Sequence, residues 1–85
     1  PSVPQNLSGE ALSGAVKLTW DKIDQEEGKN ATATDYFVYR SNQEGTSYQK
    51  IGQVALSEEA EFIDSDVHED TVYYYVVTTA SVFEE

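Results

Sequence analysis

The chain has 85 residues, enough for one small domain with one modest hydrophobic core. Its formal net charge of −11, from 16 acidic and five basic residues, opposes binding to nucleic acid or to an anionic membrane surface. The chain has no cysteine, which excludes disulfides and thiolate metal sites, and no apolar run reaches the roughly 18 residues of a membrane span.

Apolar and polar residues alternate in short runs, and turn residues separate the runs, which predicts an all-β chain. In chain order, strands are predicted over residues 5–9, 15–21, 35–40, 48–54, 60–64 and 71–79. Loops or turns are predicted at 13–14, 24–34, 42–46 and 65–70. Residues 1–85 form one predicted domain, in which 1–4 are linker-like and 81–85 begin the last inter-strand loop. The opening Pro1-Ser2-Val3-Pro4, without a methionine, is interpreted as a piece of a longer protein.

The inward-facing positions of these strands define the predicted core. We expect it to contain Leu7, Val16, Leu18, Trp20, Tyr36, Val38, Ile51, Phe62, Val67, Tyr73, Tyr75 and Val77.

The order and spacing of several segments resemble those of a fibronectin type III domain. The resemblance covers nearly the whole chain: Pro4-Gln5-Asn6-Leu7, Val16-Lys17-Leu18-Thr19-Trp20, Tyr36-Phe37-Val38-Tyr39-Arg40-Ser41, Tyr48-Gln49-Lys50-Ile51-Gly52, Phe62-Ile63-Asp64 with Val67, and Thr71-Val72-Tyr73-Tyr74-Tyr75-Val76-Val77. It implies an all-β, immunoglobulin-like antiparallel Greek-key β-sandwich. It also implies that Tyr73 forms a tyrosine corner with the preceding loop, although Glu69-Asp70-Thr71 departs from the usual residues there.

One strand of the family pattern is missing. The resemblance implies seven strands, whereas six are predicted, so the sandwich lacks or truncates the seventh strand. The strand at 71–79 would then present a long apolar edge, which invites pairing with another chain. A shortened sequence, a cleaved protein whose partner chain supplies the strand, and a wrong strand count all remain open.

No group in the sequence is a credible catalyst, and no cofactor or metal site is predicted. The single histidine, His68, lies in an acidic turn and is interpreted as a solvated residue. Paired carboxylates are what a chain of this charge shows anywhere, and a small filled sandwich has no cleft in which two of them could face each other. Asp64, Asp66 and Asp70 have spacing that could supply some ligands to calcium, but a charged turn explains it as well.

An outward aromatic stripe is the one predicted binding face. Alternation places Phe37, Tyr39 and Tyr74 on the outer side of two strands that are neighbours in the family fold. The stripe could be an ordinary tyrosine-rich sheet face, pack against an adjoining domain, or stack on sugar rings.

We therefore expect a non-catalytic spacer or interaction module of a larger secreted or cell-surface protein. The third segment is in a form typical of bacterial secreted enzymes, so the resemblance implies a bacterial polysaccharide-degrading parent, with neighbouring domains as partners. The alternatives are a carbohydrate-binding module and a fragment of a cleaved multichain protein.

Overall fold

The computed structural model describes residues 3–23 and 32–81, and six β-strands lie within those ranges. They are β1 (Ser8–Leu12), β2 (Ala15–Thr19), β3 (Asp35–Ser41), β4 (Gln49–Ala55), β5 (Glu61–Asp64) and β6 (Tyr74–Ala80). The predicted loop at 24–34 lies mostly outside the described residues, as do the ends 1–2 and 82–85. Within the described ranges, no helix is long and apolar enough to cross a membrane.

The six strands form two three-stranded antiparallel sheets, which confirms the predicted all-β sandwich. One sheet has the order β1-β2-β5 and the other the order β4-β3-β6. The chain crosses between the sheets from β2 to β3, from β4 to β5 and from β5 to β6. Ser13-Gly14 forms the tight β1–β2 turn, where Gly14 takes a φ of 74° that a side chain would disfavour.

The core lies between the inner faces of the two sheets. Trp20, just after β2, packs edge-to-face on Tyr36 of β3, with ring centroids 5.2 Å apart and an interplanar angle of 71°. The buried cluster comprises Leu18, Trp20, Ala33, Tyr36, Val38, Leu56 and Val77, with Val16, Ile23, Ile51, Val54, Ala60, Phe62 and Tyr75 packed against it. Nine of the twelve predicted core residues therefore contribute to this core.

The other three predicted core residues lie elsewhere. Leu7 is 36% exposed, because the first strand begins at Ser8 rather than Gln5 and the segment before it runs outside the sheet. Val67 and Tyr73 are half-buried and lie outside the cluster, since both belong to the stretch between β5 and β6. The last strand accordingly begins at Tyr74, not at Thr71.

The predicted tyrosine corner is present. The backbone N–H of His68 donates a hydrogen bond of 2.9 Å to the hydroxyl oxygen of Tyr73. This bond ties the β5–β6 connection to the start of β6.

Candidate functional site

The outer face of the β4-β3-β6 sheet carries the three predicted aromatic residues. Phe37 and Tyr39 alternate along β3, and their direct partners on β6 are Thr78 and Val76. Tyr74 lies two residues from Val76 on the same side, so it is the diagonal neighbour of Tyr39. The structure therefore places these rings on one face, and all three are half-buried.

A chain of polar side chains borders this aromatic face on the β4 side. The Lys50 ammonium lies 3.7 Å from the Phe37 ring centroid, in cation–π geometry, and donates a hydrogen bond of 2.9 Å to Gln53 Oε1. Gln53 Nε2 in turn donates to Asp35 Oδ2 at 3.2 Å. Lys50 thus covers one side of the Phe37 ring. Among the described residues, no hydrogen bond is seen at the hydroxyls of Tyr39 and Tyr74.

A buried ionic cluster joins the two sheets on the inner side. Arg40 of β3 directs Nη1 at both carboxylate oxygens of Asp64 on β5, at 3.0 and 2.9 Å. Tyr75 of β6 donates its hydroxyl proton to Asp64 Oδ2 at 2.8 Å, and the Asp66 N–H donates to Oδ1 at 3.1 Å. Asp64 is only 3% exposed, so every one of these donors compensates for the burial of its charge.

These contacts shift the pKa values of the cluster. Burial raises the pKa of Asp64, but the hydrogen bonds from Arg40, Tyr75 and the Asp66 amide outweigh burial and hold the pKa below its ordinary value. Burial, followed by the hydrogen bond to Asp64, raises the pKa of the Tyr75 hydroxyl well above its ordinary value. The carboxylate is therefore ionised and the phenol neutral at physiological pH, which is a structural arrangement rather than an acid–base pair poised for catalysis.

Two of the three possible calcium ligands, Asp64 and Asp66, contact Arg40. The Asp64 carboxylate accepts hydrogen bonds from Arg40 and Tyr75. Arg40 also forms an ion pair with Asp66, in which Nη2 lies 3.7 Å from Oδ2. Among residues 3–23 and 32–81 no group of three acidic or histidine side chains is arranged to hold a metal ion. Arg40 was not predicted from the sequence as a residue of this site, although the alternation of Tyr36, Val38 and Arg40 places it on the inner face.

An open groove runs along β1, β2 and the residues at the start of β6. It has a volume of about 480 Å³ and is lined by apolar or small residues of β1 and β2 and by the tyrosines at the start of β6. A smaller depression, of about 230 Å³, continues from it past Ala11 and Val16 to the exposed acidic residues Glu69 and Asp70.

Known proteins resemble this chain in sequence and in structure. No protein-family model matches the chain. It is 32% identical over 78 residues to an amylopullulanase from Thermoanaerobacterium saccharolyticum, a match that covers 92% of this chain and 5% of that enzyme. The crystal structure of an Fn3-like protein from Clostridium thermocellum matches with a TM-score of 0.75 and 31% identity, over 95% of this chain and 77% of that one.

Proposed function

Because the chain belongs to the fibronectin type III-like family, we propose that it is a non-catalytic accessory module of a larger secreted or cell-surface protein. The parent is proposed to be a bacterial polysaccharide-degrading enzyme, in which the module sets the distance and orientation of its neighbours. The observation that carries this proposal is the match of nearly the whole chain to a 5% segment of an amylopullulanase. A fold alone does not assign a role. The match between this chain and a small part of a much longer enzyme is therefore the stronger argument.

The chemistry of the described residues supports a non-catalytic role. The most perturbed titratable groups, Arg40, Asp64 and Tyr75, bind one another between the sheets. His68 is exposed and contributes its backbone N–H, not its ring, to the described hydrogen bonds.

Antibodies raised against the 85-residue chain test the proposal in the source organism. We expect them to recognise a much larger polypeptide in the culture medium or on the washed cell surface. On a zymogram the same band should clear a starch- or pullulan-containing gel. Recognition only of an intracellular band no larger than this chain would contradict the proposal.

A carbohydrate-binding module is the second candidate, and the aromatic row on the outer face favours it. Phe37, Tyr39 and Tyr74 present rings that an uncharged sugar chain could stack on, and Gln53 and Asp35 offer polar groups beside them. Native electrophoresis through a gel containing soluble starch tests this candidate. Retardation that is lost in Tyr39→Ala and Tyr74→Ala, but kept in Ile63→Ala, would support it, because Ile63 is an exposed apolar residue on the other sheet.

A fragment of a cleaved multichain protein is the third candidate, since β6 pairs with β3 alone among the strands of residues 3–23 and 32–81. In that case the isolated chain should need a co-purifying chain for stability. A single cooperative urea transition of the isolated monomer, followed by Trp20 fluorescence, would contradict it.

A further inference from the structure

A small polar cavity, the end cavity, opens at the end of the sandwich where β3 ends and β6 begins. It has a volume of about 250 Å³ and is lined by Arg40, Ser41, Asn42, Ser47, Gln49 and Tyr73. Ile23, Thr32 and Ser81, where the described ranges break off, lie at the opposite end, near the start of β3 and the end of β6. The end cavity is therefore remote from those points, and it lies on the β3–β4 side of β6.

Hydrogen bonds behind the end cavity hold its walls in place. Asp64 fixes the Arg40 guanidinium through both carboxylate oxygens. Ser41, which is only 5% exposed, fixes the turn between β3 and β4. Its Oγ accepts a hydrogen bond of 2.9 Å from the Gln43 N–H and donates to the Thr46 carbonyl oxygen. Walls that are set before a ligand arrives lower the entropy cost of binding.

Several polar groups that line the end cavity are available to a ligand. A guanidinium has five N–H donors, of which Arg40 uses those on Nη1 in the ionic cluster. Its Nη2 lies 3.7 Å from Asp66 Oδ2, too far for a hydrogen bond. Among the described residues, no hydrogen bond engages Arg40 Nε or the side-chain amides of Asn42 and Gln49. The Tyr73 ring lies beside them, with its centroid 5.3 Å from the guanidinium carbon.

The charge and the size of the end cavity select a neutral and small ligand. Asp64 neutralises Arg40, and the net charge of −11 on the chain repels anions, whereas a cation would face the guanidinium. Sites for drug-sized ligands measure about 300–1,000 Å³, so this cavity holds a smaller molecule. A sugar ring fits, because its hydroxyls both donate to and accept from amides, and its C–H face packs on an aromatic ring.

We propose that the end cavity binds one neutral pyranose unit of a sugar. The amides of Asn42 and Gln49 and the remaining N–H groups of Arg40 hydrogen-bond its hydroxyls, and the Tyr73 ring packs on its C–H face. A groove of about 410 Å³ shares Arg40 and Gln49 with the end cavity and continues to Asp66, so a second unit fits beside the first. This site is separate from the outer aromatic face. It goes beyond the accessory role and does not depend on the identity of the parent protein.

Titration of the 85-residue chain with cellobiose and, separately, with maltose tests the site. We expect at least one of these neutral disaccharides, at millimolar concentration, to shift the NMR signals of the Asn42 and Gln49 side-chain amides. Cellobiouronic acid, which carries a carboxylate, should bind at least about fivefold more weakly than cellobiose, because like charges repel. The absence of shifts with both disaccharides would overturn the proposal, as would tighter binding of the acid.

Cosedimentation with cellulose and with granular starch identifies the source of the sugar. Sedimentation of the protein that the matching disaccharide reverses would support a unit of a polysaccharide as the ligand. Binding of the disaccharide without cosedimentation would support a free sugar.

Gln49→Ala and Gln53→Ala are matched variants of the protein. Both residues are exposed on β4, but Gln49 pairs with Arg40 on the inner side and Gln53 with Phe37 on the outer side. Gln49→Ala should weaken disaccharide binding about fivefold, since one hydrogen bond is lost, whereas Gln53→Ala and Tyr39→Ala should leave it unchanged. Binding that is lost in Tyr39→Ala and kept in Gln49→Ala would overturn this proposal, because the outer aromatic face would then hold the sugar.

Discussion

Arg40 on β3 and Asp64 on β5 are joined by hydrogen bonds of 3.0 and 2.9 Å from one guanidinium nitrogen to both carboxylate oxygens. The pair connects the two sheets where Asp64 is almost completely buried. A buried carboxylate without its cation is costly, since neither water nor a counter-charge then stabilises it. The stability of the sandwich should therefore depend on this pair more than on its surface ion pairs.

Removing the cation tests that dependence. We expect Arg40→Met to lower the free energy of unfolding by about 3 kcal/mol, measured by urea denaturation with Trp20 fluorescence. Lys17→Met is the matched control, because Lys17 and Glu61 form a 3.7 Å pair whose side chains are 37% and 40% exposed. That control should cost less than about 0.5 kcal/mol. If Arg40→Met and Lys17→Met lowered the free energy of unfolding equally, the burial of Asp64 would not be the cause of the loss.

The pH dependence of stability should report the ionisation of Asp64. Its pKa in the folded state lies below the ordinary value of 3.8, so the ionised carboxylate stabilises the fold above that pH. As the pH falls through the folded-state pKa, this contribution is lost. The difference in unfolding free energy between the wild type and Asp64→Asn should therefore narrow in acid. Comparing the two proteins also separates this effect from the relief of repulsion among the 16 acidic residues.

Asp66→Asn is the control for the pH series. Its carboxylate is 89% exposed and lies 3.7 Å from Arg40 Nη2. The difference between the wild type and this variant should be small across the acid range, because an exposed pair contributes little. An Asp64→Asn difference that stays constant with pH would contradict the account.

Gly52 is a position where close packing excludes a side chain. A Cβ there would collide with the ring of Phe62, which crosses from β5 to lie against β4. We expect Gly52→Ala to cost about 2 kcal/mol, and an additional Phe62→Leu to recover part of that loss, since the smaller side chain frees the space. Gly9→Ala is the control, because its Cβ meets neighbours only at ordinary contact distance. A Gly52→Ala protein as stable as Gly9→Ala would show that Phe62 moves freely.

The hydroxyl of Tyr73 can be tested apart from its ring. Tyr73→Phe removes the acceptor of the His68 N–H but keeps the ring, whose centroid lies 5.3 Å from the Arg40 guanidinium carbon. We expect a loss of about 1 kcal/mol in the free energy of unfolding. Tyr48→Phe, in which no described hydroxyl hydrogen bond is lost, should change it little. A Tyr73→Phe protein as stable as the wild type would remove the tyrosine corner from the account.

Strands in which apolar and polar residues clearly alternate could be predicted from the sequence. Strand bounds and core residues were predicted wrongly where small side chains hide that alternation. In β1 the inward residues are Gly9 and Ala11, which are too small to mark a hydrophobic face, so the strand was predicted three residues early and Leu7 was assigned to the core. Ala33 and Leu56 were missed because each is a single apolar residue beside a strand, outside any repeating pattern.

The aromatic face could be predicted from the sequence, whereas the ionic cluster could not. Phe37, Tyr39 and Tyr74 follow from period-2 alternation once β3 and β6 are taken as neighbours. The contact between Arg40 and Asp64 joins residues 24 positions apart on opposite sheets. A pairing of that kind depends on how the sheets stack, which strand periodicity does not specify.

The non-catalytic accessory role that we propose for this fibronectin type III-like chain can be tested directly. The most direct test is the release of reducing sugar from soluble starch and pullulan by the purified 85-residue chain, with its fold verified by circular dichroism. We expect no release above that of a heat-denatured sample at any protein concentration. Release that rises in proportion to the folded chain and disappears on substitution of one of its carboxylates would contradict it.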